Sequence, residues 1–259
     1  MTSVAPTAKA IRNAGRMVVR VFDSREAMGA VAAQDIAAAL RSALGRQAGV
    51  RMVFAAAPSQ AQMLSALSAA PDIDWGRVTA FHMDEYIGLA PAAPERFARW
   101  LDDNLFDRVP FGQVHRLVPE PDPVAASARY AGLLAEAPID LVCLGIGVNG
   151  HIAFNDPPVA DFNDPLDVKV VTLDHHCRQQ QVDDRCFARI EDVPRQAITL
   201  TIPRLMRADR LFCVVPGAPK RDAVRSTLYD PISTQCPASI LRDHADCTLY
   251  LDVESNPDA

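Results

Sequence analysis

The chain has 259 residues, of which 49% are hydrophobic, and a formal net charge of −6 at pH 7. A chain of this length and apolar content can bury a large core as one domain. The acidic balance, without a basic block, argues against nucleic acid or an anionic membrane as partner. No apolar run approaches the roughly 18–20 residues of a membrane helix, and the N-terminus lacks the apolar core of a signal peptide.

The six cysteines contain no C-x-x-C pair and no zinc-finger spacing. Two of them, Cys143 and Cys213, lie inside apolar, strand-like runs. This pattern favours reduced and mostly buried thiols, as in a protein of the cytoplasm. We therefore predict a cytoplasmic location.

Short apolar runs alternate with helical periodicities along the chain. Residues 1–16 are predicted to form a loose N-terminal arm. Strands are predicted at 17–22, 50–54, 77–81, 139–144, 167–173, 197–201, 210–215 and 247–252, with a short extended piece at 114–118. Helices are predicted from an N-cap at Asp23-Ser24 to about Leu44, from near Ser59, and at 94–106, 123–136, 177–187 and 218–228.

This alternation predicts an α/β fold, with a doubly wound, mostly parallel sheet that carries helices on both faces, in the Rossmann-like manner. The chain has no internal repeat and no Gly/Ser linker, so residues 1–259 are expected to form a single domain. Ligands of such folds bind beyond the carboxyl ends of the strands. Two polar loops are expected there, at residues 84–86 and 149–156.

The stretch Leu144–Pro158 is rich in glycine and follows a predicted strand. Residues 145–150 match the G-x-G-x-x-G pattern of dinucleotide-binding proteins, which requires a helix that opens at the third glycine. Pro157-Pro158 opposes a long helix at that place. We therefore predict no nicotinamide or flavin site. The glycines let the backbone approach a ligand closely.

Two groups in these loops could transfer protons. Asp84 and Glu85 directly follow a strand, so one of them is expected to face the cleft as a general base, with a helix cap or surface turn as the alternative. His151 carries an imidazole, the side chain best suited to pass protons, and Asp156 could orient its ring; the alternative is a histidine that only bonds its own loop. The other histidines lack the spacing of metal ligands, so no metal site is predicted.

Ser59 and Lys220 each stand at the start of a helix that follows a strand. The backbone amides at such helix starts can bind an anion. Each residue has a simpler explanation, an N-cap for Ser59 and a solvated side chain for Lys220. Together they favour a phosphate pocket at the same edge of the sheet.

Two longer motifs carry a family resemblance. FHMDEYIGL at residues 81–89 resembles the F-x-M-D-E-Y-x-G-L segment of glucosamine-6-phosphate deaminases, and GIGVNGHIAFNDP at residues 145–157 resembles their G-[IV]-G-x-[DN]-G-H-I-[AG]-F-N-E-P loop. Both motifs occur in the family's order and on the expected elements. The similarity extends from about Met17 to Asp252.

The resemblance implies an enzyme that converts an aminosugar 6-phosphate and water to a ketose 6-phosphate and ammonia, without metal or organic cofactor. It implies that Asp84 moves the proton between C2 and C1 of the opened sugar and that His151 opens the ring. Asn149 and Asp156 would orient and tune this histidine. By the same resemblance, the groups that contact the sugar phosphate include Ser59, Lys220, Arg185, Gly147 and Gly150.

The chain departs from the family pattern at three places. Position 156 carries Asp in place of the usual Glu, which shortens the side chain by one methylene. Residues 57–60, Ala-Pro-Ser-Gln, stand where the family has Gly-Gly-Ser/Thr-Pro, and Pro58 removes an amide donor. The position of the family's phosphate-binding arginine falls on Asp183, with Arg185 two residues later.

Other functions remain open at this point. A deaminase or isomerase of another aminosugar, such as galactosamine 6-phosphate, fits the altered residues 57–60. A 6-phosphogluconolactonase has a similar fold, but D-E-R and G-H-T-A-S-L-F segments in place of those found here. A non-catalytic sugar-phosphate sensor would be expected to lack Asp84 or His151. The partner is therefore expected to be a small sugar phosphate, and the sequence allows a homo-oligomer without defining one.

Overall fold

The computed structural model describes residues 6–259. In this range the strands are β1 (Ala10–Ala14), β2 (Met17–Phe22), β3 (Val50–Phe54), β4 (Val78–His82), β5 (Asp84–Tyr86), β6 (Gln113–His115), β7 (Leu141–Leu144), β8 (Val168–Thr172), β9 (Gln196–Leu200), β10 (Arg210–Val215) and β11 (Cys247–Asp252). The α-helices are α1 (Arg25–Leu44), α2 (Ala61–Ser68), α3 (Phe97–Leu101), α4 (Pro123–Ala135), α5 (His175–Asp183), α6 (Ile202–Met206) and α7 (Arg221–Tyr229).

The central sheet has the order β1-β2-β11-β10-β7-β3-β4-β6. Every neighbouring pair in it is parallel except β1 with β2. Successive side chains of the inner strands enter two separate apolar cores, because side chains alternate across a strand. One core packs against α1 and α2, and the other against α4, α6 and α7. The predicted parallel sheet with helices on both faces is confirmed.

The N-cap predicted at the start of α1 is present in the structure. The Ser24 side chain accepts a hydrogen bond from the Ala27 amide and so caps the helix. The face of α2 that carries Met63, Leu64 and Leu67 is buried in the core. None of the helices in residues 6–259 is long and apolar enough to cross a membrane.

Three local predictions are wrong. The expected loose arm contains strand β1, which pairs with β2 from Ala10↔Val21 to Ala14↔Met17, whereas residues 1–5 lie outside the described range. The helix expected at 94–106 begins only at Phe97 and ends in a π-helical turn, Asp102–Phe106. The helix expected at 177–187 runs from His175 to Asp183, and Arg185 beyond it has a left-handed φ of 61°.

A second sheet was not predicted. Residues 84–86, expected as a polar loop, form β5, which pairs antiparallel with β9, and β9 pairs with β8. The sequence marks β8 and β9 as extended but does not show that they leave the central sheet. This small sheet lies at the carboxyl end of β4, since only Met83 separates β4 from β5.

Candidate active site

A cavity of about 350 Å³ lies at the carboxyl ends of the central strands. Its wall is made by residues that follow β3, β4, β7 and β10 and by residues at the end of α5. Six of the predicted site residues line it: Ser59, Asp84, Gly147, His151, Arg185 and Lys220. The other three, Asn149, Gly150 and Asp156, are outside the lining, and the first and last of these contact His151 from behind.

Strand β9 brings the two proton-transfer groups together. Its Thr199 pairs with Asp84 in the small sheet, and the Thr199 hydroxyl accepts the amide of Phe154, 3.0 Å away, from the glycine-rich loop. The Asn155 side chain donates to the carbonyl of Leu200 at 2.9 Å. The loop that carries His151 is therefore attached to the same strand that positions Asp84.

The glycine-rich loop is compact and opens no helix between Gly150 and Pro158. The Gly147 amide donates to the His151 carbonyl at 2.9 Å, and the Gly150 amide donates to the Gly147 carbonyl at 3.0 Å. Gly147 lies directly beneath the imidazole, since a Cβ placed on it would come within 2.1 Å of the His151 ring. The helix that a dinucleotide site requires is missing from this stretch.

Gly150 has a different role from the one expected of it. It does not line the cavity; its φ is +83°, and a Cβ there would meet the Cys236 sulfur at 2.7 Å. Its carbonyl accepts the amide of Ala238 at 2.8 Å. Gly150 therefore anchors the loop to residues 236–238, and the close packing and positive φ both require glycine.

The His151 ring is held by two side chains. Its Nδ1 lies 2.8 Å from Asn149 Oδ1 and 2.9 Å from Asp156 Oδ1, and Asn149 Nδ2 donates to the same Asp156 oxygen at 2.9 Å. Two acceptor oxygens at Nδ1 assign the proton to this nitrogen and leave Nε2 for a ligand. The shorter Asp156 side chain therefore still reaches the histidine.

The charge state of Asp156 follows from these contacts. Burial opposes its ionisation, but His151, Asn149 and the thiol of Cys177 outweigh burial and lower the pKa of Asp156 below its usual value. Asp156 is therefore an anion at neutral pH behind the imidazole. Such an anion stabilises a histidine that receives a proton.

Asp84 is in the opposite situation. Burial, together with the neighbouring acids Glu85 and Asp156, raises the pKa of Asp84 well above its usual value. Within residues 6–259, no protein group donates a hydrogen bond to its carboxylate. A buried carboxylate with a raised pKa that faces a cavity is a general acid or base of the kind found in active sites.

Glu85 points away from the cavity and caps a helix. Its two oxygens accept the amides of Tyr86, Phe97 and Ala98 at 2.9–3.1 Å, and Arg96 Nε lies 3.7 Å away. The two amides at the start of α3 explain why this helix begins at Phe97 and not at residue 94. The prediction that only one residue of the acidic pair faces the cleft is confirmed.

Cationic and polar groups also line the cavity. Lys220 is buried, which lowers its pKa, whereas Asp184 and Cys177 oppose that shift. Arg185 is exposed, and Ser59 is partly buried on the short turn Pro58–Gln60. Gln60 donates to Ser59 Oγ at 3.2 Å and to the Val214 carbonyl at 3.0 Å.

Sequence reasoning missed three buried polar residues of this wall, Gln60, Gln180 and Gln181. Gln60 is fully buried, and Gln180 accepts the Val148 amide at 2.9 Å and donates to Asp184 at 3.2 Å. Gln180 thus joins the glycine-rich loop to the end of α5. The available signal was its place three residues after Cys177, on the same face of a polar helix.

Residues that could hold a metal ion also occur here. Among residues 6–259, His151, Asp156 and Cys177 place their ligand atoms within 4.8 Å of one another. The Nδ1 of His151 is already at hydrogen-bond distance from Asp156, and burial with the nearby Asp156 raises the pKa of the Cys177 thiol far above neutrality. Zinc prefers a thiolate, so this donor set fits a hydrogen-bonded cluster better than a metal site.

The fold and the site define an α/β protein whose cavity is lined by a buried carboxylate with a raised pKa, a histidine and two cationic side chains. The sequence profile of the glucosamine-6-phosphate isomerase/6-phosphogluconolactonase family matches residues 23–250. The chain belongs to this family. A curated glucosamine-6-phosphate deaminase of Exiguobacterium sp. is 40% identical over 183 residues, which are 70% of this chain and 69% of that protein. The enzyme of the same name from Listeria innocua is 38% identical over 71% of this chain and 77% of its own length.

Solved structures agree on the fold. A monomeric glucosamine-6-phosphate deaminase superimposes with a TM-score of 0.83 at 27% identity, over 92% of this chain and 98% of that one. The 6-phosphogluconolactonase of Thermotoga maritima gives a TM-score of 0.74 at 18% identity, over 90% and 98% of the two chains. At that identity the lactonase shows the shared fold alone.

Replacement of Glu85 by Ala is expected to destabilise the protein by about 3 kcal/mol or more. The change removes the acceptor of three buried amides and leaves Arg96 buried without this partner. Urea unfolding followed by circular dichroism measures the loss. Glu191→Ala, an exposed acidic residue, is the control, and equal midpoints for the two variants would contradict the capping role.

Replacement of Asp84 by Asn is expected to stabilise the protein, and more so as the pH rises. The folded-state pKa of Asp84 lies above the reference value of 3.8, so the folded state keeps a proton that the unfolded chain releases. The free energy of unfolding of the wild type therefore falls as the pH increases from about 4 toward the folded-state pKa. The Asn side chain does not titrate, so the variant does not lose stability in this way as the pH rises.

Thermal unfolding from pH 5 to pH 8 tests this expectation. A gain of about 1 kcal/mol corresponds to roughly 2–4 °C in a domain of this size. Asp246→Asn, at an exposed acid beside the amino end of β11, serves as the matched control. A difference between Asp84→Asn and wild type that stays constant with pH would be incompatible with the raised pKa.

Proposed function

We propose that this protein is a glucosamine-6-phosphate deaminase that converts glucosamine 6-phosphate and water to fructose 6-phosphate and ammonia. The observation that carries the proposal is that Asp84 and His151 line one cavity, with the His151 ring held at Nδ1 by Asn149 and Asp156. The 40% identity to a curated enzyme of this name supports the same activity.

The first step in this proposal is ring opening at His151. The Nδ1 proton is held by Asn149 and Asp156, so Nε2 can accept the proton of the sugar's C1 hydroxyl and return a proton to the ring oxygen. The anion of Asp156 stabilises the transient imidazolium. The product of this step is the open-chain aldehyde.

The second step belongs to Asp84, which takes the proton from C2 and delivers a proton to C1. As the C1 oxygen also gains a proton and the nitrogen loses one, the aminoaldehyde becomes a ketimine with a C1 hydroxyl, and water then adds to C2 and releases the ketose and ammonia. Asp84 must be ionised to act as the base, although burial raises its pKa. The ammonium group of the substrate, bound close to Asp84, would favour the ionised carboxylate.

The phosphate is proposed to lie at the cationic end of the cavity, against Lys220, Arg185 and the Ser59 hydroxyl. All three line the cavity, and Lys220 is the buried member. Gly147 has no side chain, so the His151 ring packs directly against its backbone and the sugar is proposed to bind in the same cavity. Residues 1–259 are proposed to act as a single domain in the cytoplasm. A glucosamine-6-phosphate deaminase of solved structure that shares this fold is monomeric.

Ammonia release by the purified protein tests the reaction. We expect activity with glucosamine 6-phosphate and a loss of at least about 100-fold in kcat for Asp84→Asn, because the amide cannot accept the C2 proton. Asp246→Asn should keep the wild-type rate. Activity only with galactosamine 6-phosphate would reassign the substrate, and silence on both sugars with hydrolysis of 6-phosphogluconolactone would replace the proposal by the lactonase.

Replacement of Gly147 by Ala is expected to reduce kcat by about 100-fold while the protein remains folded. The new methyl group would overlap the His151 ring, and a displacement of about 1 Å in a reacting group can cost that much. Steady-state kinetics with glucosamine 6-phosphate measures the effect. Gly132→Ala, where a Cβ meets no atom within 4 Å, is the control; equal kcat values would contradict the role of Gly147.

A further inference from the structure

His82 is a buried titratable residue that the proposed mechanism does not use. It is fully buried at the end of β4, two residues before Asp84. Burial lowers the pKa of His82 to about 4, so the ring is neutral over the physiological range. A neutral imidazole has one donor nitrogen and one acceptor nitrogen, and its partners decide which is which.

The partners of His82 fix its tautomer. Nδ1 lies 2.9 Å from the backbone carbonyl oxygen of Asp84, which can only accept, so Nδ1 carries the proton. Nε2 accepts the backbone amide of Leu117 at 2.8 Å. The ring therefore connects the backbone of Asp84 to the segment that follows β6.

Tyr130 holds the backbone of His82 in turn. Its hydroxyl accepts the His82 amide at 2.9 Å and lies 2.9 Å from the His82 carbonyl and 3.2 Å from the His115 carbonyl, to one of which it donates. The ring of Tyr130 also packs edge-on against Phe81. His82 is thus fixed through both its ring and its main chain.

These bonds lie where the chain passes from one sheet to the other. His82 ends β4 of the central sheet, Asp84 begins β5 of the small sheet, and the carbonyl of Met83 between them accepts the Leu200 amide at 2.8 Å. Since the protein donates no hydrogen bond to the Asp84 carboxylate within residues 6–259, the direction of this side chain depends on its backbone. The His82 ring bonds the carbonyl of that same residue.

We propose that His82 is a positioning residue, which directs the Asp84 carboxylate into the cavity through its Nδ1 bond to the Asp84 carbonyl. This role rests on the proposed function, in which Asp84 is the base. A residue that only filled the core would contribute to stability and leave the rate per folded molecule unchanged. The two roles therefore predict different kinetics.

Two substitutions separate the two ring bonds. The side-chain amide of Asn places a donor where Nδ1 is, and the longer Gln places an acceptor where Nε2 is. His82→Asn can keep the bond to Asp84 and lose the bond to Leu117, whereas His82→Gln can keep the Leu117 bond and lose the Asp84 bond. The matched control is His115→Gln. His115 is a neighbouring histidine whose ring stacks on Phe81, with 4.8 Å between the ring centroids.

With glucosamine 6-phosphate, we expect His82→Gln to lower kcat by about 10-fold or more, with KM changed less than about two-fold, because the base is displaced while the binding groups remain. His82→Asn and His115→Gln should stay within about three-fold of the wild-type kcat. Unchanged kcat in His82→Gln, or equal losses in the Asn and Gln variants, would overturn the proposal.

Amide hydrogen exchange supplies a readout that does not need activity. Residues 83–86 should exchange faster in His82→Gln than in wild type and His82→Asn, and equal rates would overturn the positioning role. A wild type that releases no ammonia would refute the proposed function, and exchange would still decide the role of His82. If His82→Gln fails to fold, His82→Leu, which removes both ring bonds, replaces it: lower kcat at unchanged KM supports the proposal, and unchanged kcat overturns it.

Discussion

The site depends on a carboxylate that is buried without hydrogen bonds of its own. Asp84 carries a raised pKa because burial and two nearby acids oppose its charge, and within residues 6–259 its side chain accepts nothing from the protein. The position of this side chain therefore depends on the elements packed around it. Strand β9 pairs with Asp84 and also holds the loop of His151, and His82 and Tyr130 fix the chain just before it.

The two adjacent acids of β5, Asp84 and Glu85, differ in their hydrogen bonding. Glu85 is as deeply buried as Asp84, but three amides and Arg96 satisfy it, and it begins a helix. The alternation of side chains along β5 puts the satisfied acid on the inside of the fold and the unsatisfied one at the cavity. Burial raises the pKa of Glu85 as well, but the three amides and Arg96 oppose that shift, whereas among residues 6–259 no such donors act on Asp84.

The sequence defines the central sheet well, because buried parallel strands are short apolar runs between helical periodicities, as at Val50–Phe54 and Leu141–Leu144. It also identifies Asp84 and His151 through two long motifs. It fails where the partners are distant in the chain. The bond from His82 to Leu117 spans 35 residues, and that from Asn155 to Leu200 spans 45, so no local pattern announces them. Strand β1 is missed for a different reason: its partner β2 is adjacent in the chain, but Ala10–Ala14 is mostly exposed and lacks the apolar run of a buried strand.

The two cations at the proposed phosphate end differ in their access to water, since Lys220 is buried and Arg185 is exposed. Dissolved ions screen exposed charges over roughly 8 Å at physiological ionic strength and screen buried charges far less. The attraction that Arg185 exerts on an approaching anion therefore weakens in concentrated salt, while the contact with Lys220 persists. In the proposed complex, capture of the ligand from solution would therefore rest on Arg185 and its retention in the cavity on Lys220, and ionic strength would act chiefly on capture.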